Sequence, residues 1–292
     1  MNRLRFVNRL KVGETVLAVR SERPSMIAWP KRFAPFLAPA GRDIDVTVFR
    51  EPGPRPGDLL FESEGVWRAY RQTDGRLLLT FRVGGTVYKS VVLDGKITRG
   101  ELFFPPPKKS PAPRSALQFP LDEMLFQQRW AHDGLLEVHS CGVRDRGGVL
   151  LFTGQSGAGK STTARLWNRW APSRTILSDD RVLLDPRGSS PVRAFGTPWH
   201  GMGRFGSPAS GPLRALFFLE QARVSEAVRI HPAEAAARLF ARTFPPIWDR
   251  DLTARVVKAC GDVTERVPAF VFRFRKDETA LRVARRAARA AA

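Results

Sequence analysis

Two cysteines, Cys141 and Cys260, are too few for a disulfide framework, and neither has neighbours at metal-ligand spacing. No stretch approaches the roughly 18–20 apolar residues that a membrane-spanning helix needs. The opening MNRLRFVNRLKVGETVLAVR carries scattered charges and lacks the apolar run of a secretory signal, so a cytoplasmic location is expected. Acids are the scarcer charge: 28 Asp and Glu face 48 Lys and Arg, a net charge of +20. Such an excess can mark nucleic-acid or membrane-surface binding. Here the cations are mostly Arg, spread along the whole chain among abundant Ala and Gly, which resembles a codon-composition bias as much as a binding footprint. A nucleic-acid partner is therefore not expected, whereas an acidic substrate or leader peptide is compatible with the charge.

Hydrophobic residues make up 43% of the 292, enough for a globular core in one large domain or two ordinary ones. The first hundred residues read as β-rich, with strands expected over 14–19, 44–49, 59–62, 66–71, 77–83, 87–93 and 102–104. Turn signals at Asp74-Gly75, Gly84-Gly85 and Asp94-Gly95 separate them. The run from Pro105 to Pro113, with five prolines in nine residues, can form neither helix nor central strand. It reads as a linker and sets the expected domains at 1–112 and 113–292. Beyond it, helices are expected over 121–132, 160–170, 232–243 and 248–260, and strands over 135–139, 149–153, 175–178, 215–219 and 269–274. A polar turn spans 144–148, and the tail from Asp277 is helical at its start. Strands alternating with helices indicate an α/β domain. No internal repeat is detectable.

Gly154-Gln155-Ser156-Gly157-Ala158-Gly159-Lys160-Ser161 matches the phosphate-binding pattern G-x-x-x-x-G-K-[ST] in full. Glycines permit the positive-φ conformations that bring backbone N–H groups against phosphate oxygens. The helix opened by Lys160, Ser161 and Thr162 would point its positive end at the same oxygens. Lys160 would reach the β- and γ-phosphates of ATP, and the Ser161 hydroxyl would ligate Mg²⁺. The apolar run 149–153 before the loop and the helical pattern after it supply the strand–loop–helix context that the pattern requires.

The apolar stretch 175–178 ends in two carboxylates, Asp179 and Asp180. A helix rising about 1.5 Å per residue and a strand returning about 3.3 Å per residue would carry them back to the sheet edge that bears the glycine-rich loop, if the strand ran parallel. Beside a triphosphate, one carboxylate can hold Mg²⁺ and the other can accept the proton of an attacking hydroxyl.

With Ser-Asp-Asp placed nineteen residues beyond Lys160, and His139 fifteen residues before Gly154, the chain resembles the HPr serine kinase family. The nucleotide domain of that family is related to ATP-dependent phosphoenolpyruvate carboxykinase. The likeness covers residues 117–275. Pro120-Leu121-Asp122, Leu136-Glu137-Val138-His139, Gly196-Thr197-Pro198-Trp199-His200-Gly201 and Val267-Pro268 bring it closer to the uncharacterised HPr-kinase-related proteins than to HPr kinase itself. The resemblance implies a phosphoenolpyruvate-carboxykinase-like α/β domain preceded by a smaller β-rich domain, and ATP-dependent transfer to a serine on a protein or peptide. Some members of that set act on a modified-peptide precursor. It further implies that His139 neutralises phosphate charge, that Asp180 is the general base, and that Ser161 and Asp179 hold magnesium. HPr kinases carry a magnesium-binding glutamate about forty residues after the loop lysine. This chain has no acid over 195–203, so neither HPr recognition nor phosphorylase activity is implied.

The glycine-rich segment 196–206 reads equally as a mobile loop able to close over nucleotide or cradle the acceptor, with Trp199, His200 and Arg204 exposed, and as a connecting loop in which Trp199 simply packs. His231 reads as a structural residue at a helix start. The N-terminal domain either binds the acceptor or sets assembly into a homo-oligomer. Two other readings compete: a small-molecule kinase, since the loop also resembles adenylylsulfate kinases, and an ATP-binding regulatory module without catalysis.

Overall fold

In the computed structural model, residues 6–106, 115–189 and 191–291 are described, and the chain is mixed α/β with two multi-stranded sheets. It divides into two units, the first ending at Arg129 and the second starting at Trp130, within helix α1 (Leu121–Asp133). Residues 107–114 of the Pro-rich stretch lie outside the described residues.

The first unit is built on alternation. In β3 (Ile44–Phe49), Ile44, Val46 and Val48 are buried while the residues between them are only partly so, the period-2 pattern of a sheet with one packed face. The sheet also contains β1 (Phe6–Val12), β2 (Thr15–Ser21), β4 (Asp58–Ser63), β5 (Trp67–Arg71), β6 (Leu77–Val83), β7 (Thr86–Leu93) and β8 (Arg99–Phe103). Its order is β1-β2-β3-β8-β7-β6-β5-β4, antiparallel except where β3 lies parallel to β2 and β8. Gly84 and Gly85 join β6 to β7 with φ of 55° and 79°, a turn that side-chain-bearing residues resist. Strand β1 was not expected: Asn8, Arg9 and Lys11 break its apolar pattern, and only Leu10 and Val12 are buried. Its ladder with β2, not its own composition, makes it a strand.

The second unit contains β9 (Leu136–Asp145), β10 (Gly148–Thr153), α2 (Lys160–Trp170), β11 (Thr175–Ser178), β12 (Arg181–Asp185), β13 (Arg193–Gly196) and β14 (Ser210–Gln221). It continues with β15 (Glu226–Arg229), α3 (Pro232–Phe240), α4 (Arg250–Arg266), β16 (Ala269–Phe274) and α5 (Glu278–Ala290). The pairing path runs β10-β9-β12-β13-β14-β16-β15, with β11 on β9, and closes through a parallel β10–β14 ladder. Strand β10 is buried throughout, so both of its faces pack. Val149 and Leu151 meet Leu239 of α3 and Val256 and Val263 of α4. Leu150 and Phe152 meet Trp167 of α2 and Leu281 and Ala284 of α5. Phe152, Phe217 and Phe272 are fully buried with ring centroids 5.0–6.0 Å apart, Phe152 stacked on Phe217 and Phe272 tilted against both; each contributes roughly 1.5–3 kcal/mol of burial. Asp145, almost fully buried, accepts two hydrogen bonds from Arg285 and lies 2.8 Å from Arg174, tying α5 to β9.

The sheet is mixed, not a run of parallel βαβ units. Strand β11 pairs antiparallel with β9, as β10 does, so it runs parallel to β10, the sense expected of the strand before the acidic pair, with β9 lying between the two. Helix α4 starts at Arg250 because Asp249 caps it, accepting from Leu252 N–H, and it continues to Arg266. Strands β12, β13 and β15 have only four or five residues each, too short for a periodic signal.

Lys89 of β7 is only 1% exposed. Its ammonium donates to the carbonyls of Ala116 and Gln118 and lies 4.9 Å from the Phe81 ring centroid. Burial pulls its pKa down to about 7 against a partial offset from the Asp122 charge. Between about 7 and 10.5 the unfolded chain binds the proton more readily, so stability rises with pH across that window. Denaturant midpoints followed from pH 6 to 10.5 should show this rise, and Lys89→Met should remove it.

Candidate functional site

The loop 154–161 leaves β10 at the carboxyl edge of the second sheet. Strands β10 and β11 each pair antiparallel with β9, so they run the same way and end at the same edge. Parallel ladders bring the ends of β14 and β16 there too. These neighbours brace the loop. Gln221 Nε2 donates to the Gly157 carbonyl at 2.8 Å, and the Phe274 ring lies against Gly159. Gly157 and Gly159 take φ of 80° and 114°. A Cβ on Gly159 would also fall 2.7 Å from the Phe274 ring, so only glycine fits. Gln155, Ser156 and Gly157 are exposed, and Ala158 and Thr162 are half-buried. Lys160 is buried, and its Nζ folds over the loop to donate to the carbonyls of Gly154 at 3.0 Å and Gln155 at 3.2 Å.

Register delivers the acids. Thr153 pairs with Ser140 on one side of β9, while on the other side Ser140 N–H donates to the Asp180 carbonyl. The step between β11 and β12 therefore sits across a single strand from the start of the loop. His139, Lys160, Ser161, Asp179 and Asp180 converge there, but the two aspartates differ sharply. Asp179 is 1% exposed and accepts four hydrogen bonds. Its Oδ1 accepts from Gly201 N–H at 3.0 Å and Phe205 N–H at 3.3 Å; its Oδ2 accepts from Gly203 N–H at 2.7 Å and Ser161 Oγ at 3.1 Å. Asp180, with 28% of its side chain exposed, meets His139 Nε2 at 2.9 Å and Arg181 at 3.0 Å. Burial alone would raise the Asp180 carboxyl. The His139 hydrogen bond and the charges of Arg181, His139 and Lys160 outweigh it and hold the group below the usual carboxylate range.

Positive charge crowds the same spot. Burial lowers the Lys160 pKa, Asp180 opposes that shift, and the charges of Arg242 and Arg181 add to it. Arg181 stacks 4.3 Å from the centroid of Phe244, whose ring also lies 6.3 Å from that of His139. Arg242 accepts a hydrogen bond from His139 N–H at its carbonyl, and among the described residues its guanidinium pairs with no carboxylate. Arg181, Arg242 and Phe244 were not identified from sequence. Arg181 directly follows the acidic pair, a signal that could have been read; Arg242 and Phe244 lie between two helices in no pattern. Among the described residues, no cluster of three His, Cys, Asp or Glu could hold a metal ion. Ser161 and Asp179 nevertheless offer two hard oxygen donors 3.1 Å apart. That set suits magnesium, which binds through one or two carboxylates plus phosphate and water.

In the segment 196–206 the structure favours the connecting loop with a packed tryptophan over a loop exposed throughout. Trp199 is 5% exposed and packs edge-on against Trp130 at 6.1 Å. His200 is half-buried, while Arg204 is exposed at φ 58°. His231 caps α3, accepting from Ala233 N–H. Ser178, fully buried, organises the turn at the acids: its hydroxyl donates to the Trp199 carbonyl and accepts from the N–H groups of Asp180 and Arg181. Ser178→Ala would strand those buried groups, and a loss of about 1–3 kcal/mol is expected in chemical denaturation; an unchanged midpoint would show that the hydroxyl does not hold the turn.

No protein-family model matches the chain, and no curated protein matches it.

Proposed function

We propose that the protein is an ATP-dependent kinase that transfers a phosphoryl group to a hydroxyl, serine by its resemblance to the HPr-kinase-related proteins, on a protein or peptide. The observation that carries this reading is the unequal pair of aspartates beside the glycine-rich loop: one saturated and buried, the other partly exposed and gripped by His139. A site that only bound nucleotide would have no use for a second, accessible carboxylate.

On this reading, the loop N–H groups, the positive end of α2 and Lys160 hold the β- and γ-phosphates. Ser161 and Asp179 hold magnesium, which neutralises charge between those phosphates. Asp180 accepts the hydrogen bond of the acceptor hydroxyl. As the new O–P bond forms and the bond to the ADP oxygen breaks, Asp180 takes the proton. Its depressed pKa keeps it ionised at neutral pH. A loose transition state asks more for orientation than for a strong base, and His139 and Arg181 supply that orientation. The charges of His139, Arg181 and Arg242 would also stabilise the equatorial oxygens. Cys141 and Cys260 are free and buried, with burial pushing both thiols up, which suits a reducing, cytoplasmic setting. Among the described residues, no helix is long and apolar enough to cross a membrane.

ATP consumption, measured with and without candidate acceptor peptides, tests the assignment. Asp180→Asn should lower kcat by about 10²–10⁴-fold while leaving nucleotide affinity within a few-fold, and Lys160→Met should weaken both. Full turnover by Asp180→Asn overturns the choice of base. Nucleotide binding with no turnover in any mixture overturns the kinase reading.

A further inference from the structure

Asp179 holds the 196–206 segment as well as Ser161. Three N–H groups at alternate positions, Gly201, Gly203 and Phe205, converge on its carboxylate, and with the Ser161 hydroxyl they take up its four acceptor sites. The glycines are required by this contact. A Cβ on Gly203 would lie 2.6 Å from Asp179 Oδ2, and one on Gly201 would lie 3.1 Å from it. Between the anchored residues the tip is exposed: Met202 is 85% exposed, and Arg204, whose N–H donates to the Gly201 carbonyl at 3.1 Å, sits in the left-handed region at φ 58°. A non-glycine residue persists there only where its surroundings hold it; the bonds from Gly203 and Phe205, on either side of Arg204, do so here.

We propose that Asp179 is a positioning residue that latches residues 201–205, and that a magnesium–nucleotide complex at Ser161 opens the latch, so that the acceptor enters after the nucleotide. This rests on the kinase reading above. Ser161 Oγ and Gly203 N–H share Asp179 Oδ2. If Ser161 turns to an ion that takes the Oδ2 lone pair it vacates, the cation draws charge from Oδ2, weakens the bond from Gly203 on the other lone pair and repels the Gly203 N–H dipole. The freed tip, whose Gly201 lies so close to Asp180 that a Cβ there would fall 3.3 Å from the Asp180 Cβ, then relaxes from its strained conformation and opens the approach to Asp180.

Amide hydrogen exchange, followed residue by residue on the full chain, tests both halves. In the nucleotide-free protein the amides of Gly201, Gly203 and Phe205 should be protected. Asp179→Ala should accelerate all three about 10–100-fold, the loss expected for hydrogen bonds to a charged group, while Leu216 and Phe217 in β14 stay slow as a folding control. If that variant does not fold, Gly203→Ala, which keeps the carboxylate but pushes the backbone off it, should accelerate Gly203 and Phe205. Unchanged protection in a folded variant overturns the latch. Saturating magnesium with a non-hydrolysable ATP analogue should accelerate Gly203 at least about 10-fold in the wild type, and the analogue with EDTA should not. Saturation confirmed by a fluorescent nucleotide, with the loop amides unmoved, overturns the coupling. Failure of nucleotide to bind at all overturns the kinase reading and the coupling together, while the variants still decide whether Asp179 holds the loop.

Discussion

Strand β9 is the constraint on which the second unit depends, because it is paired along both edges, on one by the adjoining β10 and on the other by β11 and β12 from beyond α2. Residues 140–145 lie against β10, residues 136–139 against β12, and residues 142–144 against β11. A slip of one residue on either side would turn every buried side chain of β9 to the other face. With Val138 in one core and Cys141 and Val143 in the other, the cores resist that slip. The same register puts His139, the end of β10 and the β11–β12 step at one level. The groups of the candidate site are thus brought to one level by the packing of Val, Leu and Phe on each side, and their mutual hydrogen bonds and ion pairs act within that frame.

Placing like charges together is the part of the arrangement that packing must sustain. Lys160, Arg181, Arg242 and His139 gather around two carboxylates, and one of those, Asp179, is occupied by neutral donors. Asp180 alone faces the cations, which is why its pKa falls despite burial; that of Lys160 falls chiefly because it is buried, with the charges of Arg242 and Arg181 adding to the shift and Asp180 opposing it. Such a cluster is an electrostatic expense for the isolated protein and an asset for one that receives anionic phosphate. Under the proposed reading, the two facts are one.

Much of this was legible in the sequence. Complete apolar runs flanked by turn residues marked β10, β11 and β16, and the bounds of α2, 160–170, matched its observed limits. Legibility failed where local composition did not determine structure. Strand β1 is polar and becomes a strand only through β2; β12 and β13 are too short to show a period. The antiparallel pairing of β11 was hidden because helix and strand rises give distance but not neighbour. At the site, the glycine-rich loop and the acids were visible as contiguous patterns. Arg242 and Phe244 reach it through the bridge between Thr243 and Val138, a long-range contact that no local spacing encodes.

The four glycines of 196–206 left two readings open in the sequence, a mobile loop and a packed connection, because composition does not say why glycine is needed. Clustered glycines can mean freedom, yet here they permit close approach. Gly196 runs so near Leu177 and Ser207 that a Cβ would strike their carbonyls, and Gly201 and Gly203 crowd Asp179. Trp199 is buried at one end and Ser207 N–H is bonded to the Leu177 carbonyl at the other. The segment is fixed at both ends, and between them the backbone of residues 201–205 meets a single carboxylate while Phe205 packs against the core. That carboxylate also touches Ser161, so whatever binds at the start of α2 acts on the loop through a shared atom and needs no longer path.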